Sequence, residues 1–74
     1  MLNQYIKTIS DKFGVTVTNI NNAFNELIIR GTKEQLLAYL AYYNGGKFDE
    51  SESDLWVKTD EDGSLYTKVD VCFS

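Results

Sequence analysis

The stretch Val15-Thr16-Val17-Thr18-Asn19-Ile20-Asn21-Asn22-Ala23-Phe24-Asn25-Glu26-Leu27-Ile28-Ile29-Arg30 decides the fold. Val15 to Thr18 alternate strictly between apolar and polar, the period of a half-buried strand, and Asn21-Asn22 supplies turn chemistry. A second strand is expected from about Phe24 to Arg30. A three-residue loop, Asn21 to Ala23, sets Val17 opposite Leu27 and Val15 opposite Ile29 on one face. The other face then shows Ile20 opposite Phe24, Thr18 opposite Glu26 and Thr16 opposite Ile28. A two-residue loop would oppose Val17 to Glu26 and bury a charge, so the longer loop is expected.

On the N-terminal side, Leu2, Ile6, Ile9 and Phe13 recur at steps of four, three and four residues. That spacing lines one face of a helix over about residues 2–13, and Gly14 follows where helices commonly stop. On the C-terminal side, Thr32 with Gln35 three residues later matches a capping box, so a second helix is expected from there to Asn44-Gly45-Gly46. Leu36, Leu40 and Tyr43 form its expected core stripe, with Tyr39 and Tyr42 outside it. Residues 47–54 read as an acidic loop, and a last hairpin is expected over about Leu55 to Phe73. Its turn, Glu61-Asp62-Gly63, suits the three-residue type with Gly63 left-handed. That register sets Leu55 opposite Val69 and Val57 opposite Thr67 on the core face, with Trp56 and Tyr66 on the other.

The order helix, hairpin, helix, hairpin predicts a two-layer α+β fold, αββαββ, in which a four-stranded antiparallel sheet carries two helices on one face. Strand order 3-4-2-1 would make it a circular permutation of the ferredoxin-like βαββαβ arrangement. At 74 residues the chain is expected to form one α+β domain, residues 1–74, close to the size where a core supplies only about 3–5 kcal/mol of net stability.

Composition narrows the chemistry. The chain has no His and a single Cys, Cys72, so it lacks the commonest general base and cannot build a thiolate zinc cage or an internal disulfide. A small secreted domain usually needs several disulfides, so a cytoplasmic setting is expected, and no stretch has the length of a membrane span. No nucleophile with an accompanying base is visible, and Asp60-Glu61-Asp62-Gly63 lacks the ligand spacing of a calcium loop. The chain is expected to be no enzyme and to need no cofactor or metal.

Charge is unevenly distributed. Residues 49–74 hold eight of the eleven carboxylates against Lys58 and Lys68, a formal −6, while residues 1–48 are formally +2. Acid at Asp49, Glu50, Glu52 and Asp54, and again at Asp60, Glu61 and Asp62, would repel phosphates, so direct nucleic-acid binding ranks low. If both helices cover one side of the sheet, Ile20, Phe24, Ile28, Trp56 and Tyr66 are left on an open face, and uncovered aromatic and aliphatic side chains mark partner surfaces.

A small, acidic, Asn- and Tyr-rich α+β chain without catalytic residues resembles, in size and composition, the inhibitor and modulator proteins that phages and mobile elements deploy against host machinery, including anti-CRISPR proteins. The expected function is therefore a non-enzymatic module that docks on a larger protein, such as a nucleic-acid-handling one whose basic groove accepts carboxylates in place of phosphates. Its expected contact residues are Phe24, Ile28, Trp56 and Tyr66 with the seven carboxylates named above. The alternatives are a structural or regulatory homodimer that buries the open face, and then a single-stranded nucleic-acid binder stacking bases on it.

Overall fold

The computed structural model describes residues 2–21 and 25–71. Helix α1, Leu2–Phe13, buries Ile9 completely and half-buries Leu2, Tyr5, Ile6 and Phe13. It ends where the Gly14 N–H donates to the Ser10 carbonyl at 2.9 Å with φ at 72°, a left-handed conformation that glycine adopts without steric cost.

Strands β1, Thr16–Asn21, and β2, Glu26–Gly31, pair antiparallel with Val17 opposite Ile29, Thr18 opposite Ile28 and Asn19 opposite Leu27. This register lies two residues from the one predicted above. The described backbone supplies a reason: Asn25 takes φ of 52° and β2 begins only at Glu26, so the connection is longer than three residues. The pairing also slips between Asn19 and Asn21, where a bulge leaves Ile20 44% exposed. A slip of two restores every side chain to its expected face, so Val15, Leu27 and Ile29 still reach the core. Asn22 and Ala23 of the expected turn, Phe24 at the start of the expected second strand, and Cys72 and Phe73 of the expected last hairpin lie outside the described residues.

Helix α2, Lys33–Tyr43, begins with the expected capping box. The Gln35 N–H donates to Thr32 Oγ1 at 3.1 Å, and the Thr32 N–H donates to Gln35 Oε1 at 2.8 Å. Its buried stripe is Leu36, Tyr39 and Leu40, whereas Tyr43 is half-buried. Tyr39, expected to stand outside the core, is fully enclosed. Its hydroxyl lies 2.8 Å from that of Tyr5 on α1 and its ring meets Phe13 edge-on at 5.9 Å, so burial leaves no polar atom stranded. The Tyr39 hydroxyl consequently titrates well above the usual tyrosine range, chiefly through desolvation.

Strand β4, Leu65–Asp70, lies against β2 with Leu27 opposite Val69 and Ile29 opposite Thr67. The short strand β3, Lys58–Thr59, closes the other side of β4 in the predicted register, Lys58 opposite Tyr66. Between α2 and β3 the chain departs from the expected strand. Glu50–Glu52 form a 3-10 turn and Ser53–Trp56 a single helical turn, α3. Asp49 starts this segment by accepting the Ser51 N–H at 3.0 Å, and the Val57 N–H closes it on the Ser53 carbonyl at 2.7 Å. Leu55 therefore does not face Val69.

The sheet order is β1-β2-β4-β3, all antiparallel, the permuted ferredoxin-like arrangement. Ile9, Leu36, Tyr39 and Leu40 from the helices meet Val15, Leu27, Ile29, Val69 and Val71 from the sheet, so both helices cover one face. No helix among the described residues is long and apolar enough to cross a membrane.

Candidate partner surface

The uncovered sheet face is built by alternate residues of each strand. Arg30 and Tyr66 stand opposite each other on β2 and β4, with the guanidinium 5.2 Å above the ring. Arg30 Nη2 also pairs with Asp60 at 2.9 Å and Nη1 donates to Ser64 Oγ at 3.2 Å. Lys68 pairs with Glu26 at 3.3 Å. Tyr66 is thus half-buried beneath Arg30, and Ile28 is half-buried between Thr18 and Lys68. Ion pairs divide the aromatic and aliphatic side chains expected on this face.

Trp56 does not lie beside Tyr66 in a strand. The helical turn carries it to the edge of the sheet, where its ring packs 6.4 Å from that of Tyr43 on α2 and touches the core cluster. The Tyr43 hydroxyl in turn donates to the Asp70 carbonyl at 2.7 Å, on the part of β4 that lies beyond its pairing with β3. Ser53 is buried on the same turn. With Ser53 and Trp56 turned inward, Leu55 is turned out and is 71% exposed. Leu55, Trp56, Lys58 and Lys68 together line an open cleft of about 410 Å³.

The expected acidic residues separate into two groups at opposite ends of β4. Next to Leu55, Glu50, Glu52 and Asp54 are exposed, while Asp49 is held as the cap of the 3-10 turn. The Ser51 N–H keeps the Asp49 carboxyl below its ordinary value. At the β3–β4 tip, Asp60 is committed to Arg30, and Asp62 accepts from Ser64 Oγ at 2.6 Å and Ser64 N–H at 2.9 Å. Those bonds hold the Asp62 carboxyl below the usual range. Glu61 is exposed beside them. The tip carboxylates mostly fasten a turn, whereas the acid around Leu55 faces outward.

A second cleft of about 400 Å³ opens between Gly14, Arg30, Thr32 and Ser64. Its charge is already matched by Asp60, and the Thr32 hydroxyl serves the capping box. Among the described residues no group of three or more His, Cys, Asp or Glu is placed to hold a metal ion.

Sequence reasoning missed Leu55 because a strand from residue 55 would have turned it inward. The available signal was local: Asp49 with Ser51, followed by Glu52-Ser53-Asp54, is the cap-and-acid composition of a helical first turn. Compared with protein-family models, with curated proteins and with solved structures, the chain finds no match.

Proposed function

We propose that this chain is a non-enzymatic binding module that docks on a larger protein through residues 49–56, with Leu55 as the anchor and Glu50, Glu52 and Asp54 as its charged rim. The observation that carries this reading is the 71% exposure of Leu55 on a turn pinned from behind by Ser53 and Trp56. An apolar side chain presented on an ordered turn loses little further entropy on binding, and burying a leucine contributes about 1.5–3 kcal/mol. The carboxylates on the turn side of Leu55 favour a partner with a basic surface there, while Lys58 and Lys68 on its cleft side call for neutral or acidic groups. The groove of a nucleic-acid-handling protein has such a basic surface, and a modulator of the kind mobile elements deploy against their hosts would work by occupying it.

Ile28 and Tyr66 have a smaller part in this reading than the acidic turn, and Phe24 lies outside the described residues. Ile28 and Tyr66 are half-buried among the Arg30–Asp60 and Lys68–Glu26 ion pairs, which leaves them less apolar area to give. Single-stranded nucleic acid is disfavoured by the same acid that favours a basic protein. The experiment is a pull-down from native host lysate with the wild type and Leu55→Glu side by side. A protein retained by the wild type and lost by the variant supports the proposal; equal retention, or none, defeats it.

A further inference from the structure

The two edges of the sheet differ in how they are finished. On one side β3 has only two residues, carries Lys58, and is preceded by the α3 turn. Short strands, lysines and covering segments are the devices by which proteins keep a sheet edge from pairing with other chains. On the other side β1 runs six residues, Thr-Val-Thr-Asn-Ile-Asn, with no ionisable side chain and no proline, and its described neighbour is β2 alone. Its one irregularity is the bulge near Ile20, at its end.

We propose that the outer edge of β1 pairs antiparallel with the same edge of a second copy about a two-fold axis, joining two sheets into one of eight strands. Three observations select a second copy as the occupant. First, the edge is free of charge, and a two-fold axis sets the residue on the axis against its own copy, so a charge there would face its own kind. Second, the acid of each chain is concentrated in residues 49–74, which supply β3, β4 and α3. Pairing at β1 therefore joins the mildly basic halves and holds the two acidic edges far apart. Third, the axis can pass through Val17. That register opposes Val17 to Val17, with Val15 against Asn19, on the core side and Thr16 to Thr18 on the open side, whereas an axis through Thr18 would lose the valine pair and oppose Val17 to Asn19. Val17 is half-buried at this edge and gains an apolar partner, and opposed threonines are a favourable cross-strand pair.

The blunted β3 edges end the assembly at two copies. Each dimer then presents two acidic turns at its outer ends, so a partner with paired sites gains avidity. This surface lies on the opposite edge of the sheet from Leu55, so failure of one proposal leaves the other standing.

The test is sedimentation equilibrium over about 5–500 μM, a range that spans weak self-association. The wild type is expected to approach twice its 8.4 kDa mass at the upper end. Thr16→Lys with Thr18→Lys places lysines opposite each other at the seam and is expected to raise the dimer dissociation constant about tenfold or more, with an unchanged far-UV circular dichroism spectrum. Thr16→Lys with Thr18→Glu places lysine opposite glutamate and is expected to restore the dimer, a rescue that a folding defect would not give. A wild type that stays monomeric throughout overturns the proposal. So does a dimer that survives the double lysine change but is split by Ile28→Lys, since that would place the contact on the open face.

Discussion

The hydroxyls of Tyr5 and Tyr39 meet at 2.8 Å between the two helices. Burial raises both above the ordinary tyrosine value of 10.0, and for each the largest cause is desolvation. A raised folded value means that the fold holds its proton where the unfolded chain releases it. The associated stability is complete below pH 10 and declines as pH rises above it, by about 1.4 kcal/mol per unit for one group. Tyr39→Phe is expected to flatten that decline and to lower stability at neutral pH by about 1 kcal/mol through the lost hydrogen bond. Urea midpoints between pH 8 and 11 measure both effects.

Thr67 faces the core opposite Ile29, fully buried, and its Oγ1 has no partner among the described residues. An unpaired buried hydroxyl costs about 1–3 kcal/mol. Thr67→Val keeps the shape and removes the polar atom, so thermal unfolding is expected to show stabilisation of about 1 kcal/mol. Destabilisation would mean that the hydroxyl is paired in solution.

A Cβ at Gly31 would stand 2.7 Å from Gln35 Oε1 and 3.2 Å from Val15 Cγ1. The first neighbour is held by the capping box and the second is buried, so neither yields freely. Gly31→Ala is expected to cost about 1–2 kcal/mol. Made on Gln35→Ala it is expected to cost less, and a double-mutant cycle from denaturant curves reads the difference.

Leu55 and Trp56 are adjacent but differ in what they support. Leu55→Ala is expected to leave stability within about 0.5 kcal/mol of wild type because the side chain is exposed. Trp56→Ala removes the half-buried ring packed on Tyr43 and is expected to cost about 2 kcal/mol. Both are expected to weaken partner binding, and comparing affinity with unfolding midpoint separates the anchor from its support.

Much of this architecture was legible in the chain. The Ile9 and Phe13 stripe, the Thr32–Gln35 box and the Gly63 turn each carry a local signal that tertiary structure leaves unchanged, and the β3–β4 register follows from that turn. The first hairpin slipped because Asn25 adopts a positive φ, a conformation asparagine tolerates but does not require. The place of Tyr39 is not legible because α2 is apolar on several sides, and the Tyr5 hydroxyl and Phe13 ring of another helix meet the ring that is buried. Of the candidate site, the acid was visible as composition, but its division between structural and outward-facing carboxylates depends on hydrogen bonds to Ser51, Ser64 and Arg30. Leu55 was hidden because apolar content from residue 55 onward reads equally as a strand, and one helical turn reverses which side it faces.

Docking through residues 49–56 is tested by an amide chemical-shift map of the labelled chain bound to the partner that the pull-down retains. The largest perturbations are expected on Glu50, Glu52, Asp54, Leu55 and Trp56. Perturbations centred instead on Ile28, Arg30 and Tyr66, with the acidic turn unmoved, would contradict that docking.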